Sequence, residues 1–362
     1  MRTVRLSEFR SYPSLDIDLE SSPVVLIGPN GAGKTNLLEA ISLLGPGRGL
    51  RRARPADLCR EGRASWSVFA RIQTGAGTPV EIGTGLDAAR RRIVKVDGKA
   101  ARSQADLARL MALSWLTPDM DGLLAESTSA RRRFLDRLVF GLDPDHAQRV
   151  QHYEQNMRER LRLLIHGTAD TGWLDALEDQ MAASAVAIHS ARSRTATALD
   201  EACAQTGPSF PIARLTMQGA AHAMPEDAST LATIWRESRP MDAQAGMTLR
   251  GPHKVDLAVR FAEKNRLAQD GSTGEQKALL VAVLLAHARL VRQYSGRTPL
   301  LILDEVAAHL DDARRQAMGQ EILSLGAQAW LSGTDAADFS TMRDHAQFLS
   351  VLPGDGSQVA WG

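Results

Sequence analysis

Eight consecutive residues, Gly28-Pro29-Asn30-Gly31-Ala32-Gly33-Lys34-Thr35, limit what this chain can fold into more than any other stretch. They fit G-x-x-x-x-G-K-[ST], the phosphate-binding P-loop. The apolar run Pro23 to Ile27 before them predicts a short buried strand, and Asn36 to Leu44 after them predicts a helix. That context is what the motif requires, because glycines let the backbone curl its N–H groups toward a phosphate at a helix N-terminus. The pattern assigns Lys34 to the β- and γ-phosphates of ATP and the Thr35 hydroxyl to Mg²⁺.

A second stretch supplies the other half of such a site. Leu300-Leu301-Ile302-Leu303-Asp304-Glu305 is an apolar run ending in two carboxylates. A buried strand that delivers an acid at its end is the Walker B pattern. Asp304 is expected to hold Mg²⁺, and Glu305 to orient and polarise the attacking water. Leu310-Asp311 follows in the place of a D-loop. Upstream, Gly271-Ser272-Thr273-Gly274-Glu275-Gln276-Lys277 precedes an apolar helix from Ala278 to Tyr294, and its S-x-G-x-Q form matches the ABC signature through Ser272, Gly274 and Gln276. Taken alone, Ser272 and Glu275 equally make a capping box. The order P-loop, signature, Walker B, D-loop favours an ATPase. Roughly 240 residues separate P-loop from signature. That spacing is too wide for a transporter ATPase, and no N/T-K-x-D motif of a GTPase is found.

With 362 residues the chain suits two domains. Alternation at Val4, Leu6 and Phe9, then at Leu15, Ile17 and Leu19, predicts a β-hairpin before the P-loop strand. Further strands are expected over 66–73, 80–86 and 92–96. From Thr117-Pro118, read as a helix start, to about 206, nearly everything looks helical. Expected helices run over 127–140, from Asp143-Pro144 toward 165, and over 173–205, with a loop at 167–172. Pro208 and Pro211 end this arm. A strand at 212–217, a helix at 228–239 and an alternating run at 255–261 follow. The expected division is a discontinuous domain of residues 1–115 and 245–362 with a mainly helical domain, 116–244, inserted.

The net charge of +1 announces no global basic field, but residues 1–150 carry 23 Lys and Arg against 17 Asp and Glu, and the remainder 20 against 25. Arginines cluster at 48–54, 90–92 and 131–133, which suits phosphate contacts. Cys59 and Cys203 lie far apart in no metal-ligand spacing. With no apolar segment long enough to span a bilayer, a reduced, cytoplasmic protein without a membrane partner is expected.

The chain also resembles the RecF family of bacterial recombination and replication-repair ATPases. The matching stretches are Phe9-Arg10-Ser11-Tyr12, the P-loop with Asn36-Leu37-Leu38-Glu39-Ala40, Leu116-Thr117-Pro118 and Arg131-Arg132-Arg133-Phe134-Leu135-Asp136. Further matches are Arg250-Gly251-Pro252-His253-Lys254, Ser272 to Lys277, Asp304-Glu305-Val306-Ala307 with Leu310-Asp311, and Ser332-Gly333-Thr334. The resemblance implies an α/β fold: an ABC-type P-loop ATPase domain, with a mixed sheet and a flanking β-rich lobe, plus an inserted all-α arm. It implies a weak, DNA-stimulated ATPase that forms a homodimer on ATP and binds double-stranded DNA and single-strand/double-strand junctions at gaps. RecR, RecO and RecA are the implied partners. Carried over by position, Arg10 lies near the nucleotide, Ser272 and Gly274 act on the partner's nucleotide, and Thr334 stands where ABC proteins have a switch histidine. Arg51, Arg52 and Arg131 to Arg133 are candidate DNA contacts. Relatives often carry Asp-Asp where this chain has Asp304-Glu305. The competing readings are an ATP-binding interaction scaffold and another SMC-like chromosome ATPase.

Overall fold

The computed structural model describes residues 1–73, 77–101, 103–167, 171–205, 209–219, 224–354 and 356–361. The chain divides into two compact units, Met1–Gly122 with Thr206–Ile212 and Gly271–Gly362, and Leu123–Gln205 with Ala213–Asp270.

The first unit opens with the expected hairpin, β1 (Thr3–Phe9) and β2 (Tyr12–Asp18), whose inward residues Val4, Leu6, Phe9, Tyr12 and Ile17 are buried. Strand β3 (Val24–Ile27) enters the P-loop, and α1 (Lys34–Ser42) leaves it. Then come β4 (Ser67–Gln73), β5 (Pro79–Leu86), β6 (Arg92–Val96), β7 (Lys99–Ala100), α2 (Gln104–Leu110) and β8 (Leu113–Leu116). Strands β2-β1-β4-β5-β6-β7 form one antiparallel sheet in that order, the expected β-rich lobe.

The second unit contains α3 (Thr128–Leu142), α4 (His146–Ile165), α5 (Thr171–Ala204), β9 (Ala213–Gln218), α6 (Ala228–Ala245), β10 (Asp256–Phe261) and β11 (Arg266–Leu267). It is mainly helical, with one antiparallel sheet in the order β11-β10-β9. The alternating run expected to rejoin the N-terminal part near 245 instead pairs with β9, Leu257 opposite Met217 and Val259 opposite Leu215. The units therefore divide at 122 and 270 rather than at 115 and 244. Thr117 does not start an α-helix either. Its side chain caps nothing, and Pro118–Met120 makes only a 3-10 turn. Helix α6 runs through Pro240, where the sequence reading stopped it at Arg239. The proline removes one backbone bond. Packing of the next turn offsets that loss: Asp242 is buried and accepts hydrogen bonds from Arg160 (2.7 Å), Ser238 (3.2 Å) and the Leu249 N–H (3.0 Å). Residues 168–170 of the expected inter-helix loop, and Pro208, lie outside the described residues.

In the arginine cluster at 131–133, the first two residues face the unit's own groups, the reading that stood equally beside phosphate contact, while Arg133 is exposed. Arg131 grips Asp256 with two hydrogen bonds (2.8 and 2.6 Å), and Arg132 donates to the Val255 carbonyl (2.9 Å). Nearby, Arg192 clasps Asp136 (2.8 and 2.8 Å) and also bonds the Pro252 carbonyl (2.6 Å).

His253 is fixed in this unit as a neutral ring. Its Nε2 donates to the Thr248 carbonyl (2.8 Å), so Nδ1 accepts from the Tyr153 hydroxyl (2.7 Å). Burial is the main cause of a pKa lowered to about 4, with Lys254 and Arg132 adding repulsion. The unfolded ring, with a pKa near 6.5, takes up its proton first. This contribution to stability is therefore complete above pH 6.5 and falls by about 3 kcal/mol as pH drops toward 4. Urea unfolding followed between pH 7 and 4.5 is expected to show this loss, and His253→Gln to flatten it. An unaltered slope in that variant removes His253 as the cause.

After the second unit the chain returns as α7 (Thr273–Ser295), β12 (Leu300–Leu303), α8 (Asp312–Ser324), β13 (Ala329–Gly333), β14 (Gln347–Leu352) and β15 (Gln358–Trp361). The second sheet of the first unit has the order β15-β14-β3-β13-β12-β8, parallel except for β15. Strands covered on both faces read as unbroken apolar runs, which is why β3 is Val-Val-Leu-Ile and β12 Leu-Leu-Ile-Leu. From α1, the side chains of Leu37, Leu38 and Ile41 are fully buried in one core with Leu26, Ile302, Trp330 and Leu349. Each such side chain stabilises by about 1.5–3 kcal/mol.

Candidate functional site

The parallel order brings the C-terminal ends of β3, β12 and β13 side by side, so loops far apart in sequence meet there. In an open α/β sheet that edge is where ligands bind.

The 28–35 loop is shaped by close approach as much as by turning. A Cβ on Gly28 would lie 2.1 Å from the Val351 carbonyl oxygen, and one on Gly33 2.2 Å from Ser357 Oγ. Gly31 and Gly33 also take φ of +79° and +109°, which favours glycine. Pro29, Asn30 and Gly31 form the exposed rim, while Ala32, Gly33 and Lys34 are buried. The Lys34 ammonium folds back onto the carbonyls of Gly28 (2.6 Å) and Pro29 (3.0 Å). Burial lowers its pKa, against the pull of Glu305 and Asp304. A buried cation held only by carbonyl dipoles, beside a loop bared of side chains, fits a phosphate.

From β12, Asp304 reaches the start of α1. Thr35 Oγ1 donates to Asp304 Oδ1 (3.2 Å), and Ser332 Oγ on β13 donates to the same oxygen (2.6 Å). Ser332 Oγ also accepts from the Glu305 N–H (2.9 Å). A hydroxyl and a carboxylate oxygen in contact are hard donors that fit Mg²⁺. Glu305 is half-buried, and among the described residues its carboxylate makes no hydrogen bond. It is therefore free to accept one from a water.

Arg10, at the β1–β2 turn, lines an open cleft of about 480 Å³ with Ser11, Gly31, Arg60, Gly354 and Ser357. Its guanidinium chelates the buried Glu39 of α1 (3.0 and 3.1 Å) and donates to the Asp57 carbonyl (3.0 Å). Arg51 reaches Glu39 (3.3 Å) and Asn36 Oδ1 (3.0 Å) from outside. Asn36 in turn donates to Ser11 Oγ (2.9 Å), which also accepts from Ser357 Oγ (2.7 Å). Arg48, Arg51, Arg52 and Arg54 are exposed together on the segment after α1.

The signature residues sit at the N-terminus of α7. Ser272 is the N-cap of a complete capping box: its Oγ accepts from the Glu275 N–H (3.4 Å), and its N–H donates to Glu275 Oε2 (2.8 Å). Ser272 is exposed and Gly274 half-buried, whereas Gln276 is buried and donates to the Gly271 carbonyl (3.0 Å). Among the described residues no hydrogen bond joins these three to the P-loop. Thr334 is exposed, one residue past β13. The structure thus gathers Lys34, Thr35, Asp304 and Glu305, and among the described residues Ser272, Gly274 and Gln276 make no hydrogen bond to any of them.

Two contributors have no motif chemistry of their own. Ser332 lies inside a recognised stretch whose pattern gives it no role. Glu39 looks like an ordinary helix-surface residue until Arg10 and Arg51 are seen to converge on it.

The family described as RecF/RecN/SMC N terminal domain matches residues 1–349. The DNA replication and repair protein RecF of Mesorhizobium japonicum is 47% identical to this chain, covering 96% of it and 95% of its own length. That of Rhizobium johnstonii is 46% identical, covering 97% and 96%. A solved structure of the recombination mediator protein RecF with ATP aligns at a TM-score of 0.85 over all of this chain and 97% of that one, at 20% identity. An SMC head domain from Pyrococcus furiosus, bound to the C-terminal domain of ScpA, aligns at 0.58 over 99% and 95%, at 18% identity. At these identities the structural likenesses show a shared fold, that of RecF and the SMC heads.

Proposed function

Since the chain belongs to the RecF family, we propose that it is an ATP-dependent DNA-binding protein of replication and repair with weak, DNA-stimulated ATPase activity. The observation that carries this reading is the meeting of Thr35, Asp304 and Ser332 beside Lys34, from segments about 270 residues apart in sequence. Gly28 to Thr35 cradle the phosphates, and Arg10 borders the rest of the nucleotide. Thr35 and Asp304 would hold Mg²⁺, which would screen the phosphate charge. Lys34 turns from the loop carbonyls to the phosphates, and Glu305 takes the proton of the attacking water.

Ser272, Gly274 and Gln276 make no hydrogen bond to the P-loop among the described residues, which supports their acting on the nucleotide of a second copy, so that ATP joins a homodimer. The first unit serves as this ATPase part, and the second as the inserted arm. DNA is held through phosphates without sequence preference, at duplexes and gap junctions. Arg48, Arg51, Arg52 and Arg54 are the candidate contacts. RecR and RecO, with RecA loading as the outcome, are the partners this reading predicts. No helix among the described residues is long and apolar enough to cross a membrane, and we place the protein in the cytoplasm.

The test is the mass in solution with and without Mg²⁺ and a slowly hydrolysed ATP analogue, then with gapped DNA, at two salt concentrations. A nucleotide-dependent doubling of mass, and DNA affinity that falls about 10³-fold or more between 50 and 200 mM salt if six or more phosphates are contacted, is the expected result. A monomer that ignores nucleotide, or DNA binding that ignores salt, overturns it in favour of an interaction scaffold.

A further inference from the structure

Lys277 lies in α7 five residues beyond Ser272 and is 1% exposed. A lysine at that depth requires partners. It has two: Nζ donates to Asp121 Oδ2 (3.1 Å) and to the backbone carbonyl of Glu305 (3.1 Å). Nothing in the site as assembled so far uses this second contact.

The peptide it holds is an unusual one. Glu305 has φ of +50°, a left-handed conformation that disfavours any residue with a Cβ and persists only where the surroundings over-determine it. Its N–H is fixed by Ser332 on β13 and its carbonyl by Lys277 on α7. The same helix touches this turn once more at its first residues. A Cβ on Gly274 would lie 3.3 Å from the carbonyl oxygen of His309, itself at φ +67°. Movement of the α7 N-terminus is therefore carried directly into the 305–309 turn. Asp121 supplies a second resting place for the ammonium, because its Oδ1 is buried without a hydrogen-bond partner.

We propose that Lys277 is a positioning residue that ties the signature helix to Glu305 of its own chain, so that closure of Ser272 on a partner's nucleotide sets the catalytic carboxylate of the subunit that supplies the signature. The inference rests on the ATPase reading above and deepens it: the two sites of a dimer are coupled through a side chain that touches neither nucleotide.

The test uses Lys277→Met and, because that variant leaves Asp121 unpaired, Lys277→Met with Asp121→Asn, which removes both charges. The kcat for ATP is expected to fall about 10- to 100-fold in both, with ATP affinity within about twofold, and Lys277→Arg to recover part of the loss. Mixed dimers locate the effect. One subunit carries Glu305→Gln, which keeps its nucleotide but does not hydrolyse it, so that only its partner hydrolyses. Placing the Lys277 change on the hydrolysing subunit lowers the remaining activity by the same about 10- to 100-fold. Placing it on the Glu305→Gln subunit, whose signature covers the working site, costs far less. Equal losses in the two placements, or a double variant with normal kcat, overturn the proposal while wild-type hydrolysis stands. A wild-type chain that neither dimerises nor hydrolyses ATP overturns the ATPase reading and this one with it.

Discussion

Glu305→Gln is expected to lower ATP hydrolysis by about 10²- to 10⁴-fold, the usual contribution of a positioned general base. Nucleotide affinity should stay nearly unaltered, because the residue acts on the attacking water and not on the phosphates. The amide has the shape of the carboxylate but cannot take a proton. The exchange is also structurally mild. The Glu305 backbone is clamped by Ser332 and Lys277, and its side chain makes no hydrogen bond among the described residues. Single-turnover hydrolysis, paired with binding of a fluorescent nucleotide, separates the two quantities. With hydrolysis blocked, the nucleotide-joined dimer should persist for as long as the nucleotide stays bound. Retention of the wild-type rate would falsify the assignment of the base to Glu305. Asp304 is no substitute, since it already accepts from Thr35 and Ser332.

The second large effect is on stability and lies in the other unit. Arg160 is completely buried, and its three nitrogens reach Glu178 (2.8 Å), Asp242 (2.7 Å) and the Trp235 carbonyl (2.8 Å). Arg239 supplies a second cation to Glu178 (3.0 Å from Nε). Removing one partner of a buried pair leaves an uncompensated charge, and Arg160→Met is expected to cost about 3–5 kcal/mol. Urea unfolding measures it, with probes in both units, because two compact units need not unfold as one. Adding Glu178→Gln and Asp242→Asn to Arg160→Met should recover part of the loss. If the triple variant is no more stable than the single one, the cost came from packing and not from charge.

How much of this was legible in the sequence varies with the physics of each element. The nucleotide-binding core was legible because its chemistry is local: the 28–35 octet and the apolar run into Asp304-Glu305 need no partner to be read. The long helices were legible because 3.6-residue periodicity accumulates over many turns. Short elements were not. Strand β8 has four residues and is a strand because it lies beside β12, Leu116 opposite Leu303. The run at 255–261 was read as a strand, yet alternation does not say which sheet it joins. Arg131 and Arg132 looked like a cationic surface because a run of arginines has the same composition whether it faces solvent or Asp256. The convergence of Arg10 and Arg51 on Glu39 had no signal at all. It depends on a hairpin turn and a loop folding back on α1, with Glu39 separated from them by 29 and 12 residues.

The order of strands around β3 has a consequence for biosynthesis. Both neighbours of β3 (Val24–Ile27) lie far downstream of it in sequence, β13 at Ala329–Gly333 and β14 at Gln347–Leu352. A ribosome adding about 5–20 residues per second needs roughly 15–60 s to travel from β3 to β14. Throughout that interval Val-Val-Leu-Ile and the apolar face of α1 have no sheet to join, while the hairpin ahead of them and the lobe after them can already pair. The parallel sheet thus closes only after a long stretch of chain has followed its central strand, and the nascent chain must keep that strand from sticking to anything else until its neighbours arrive.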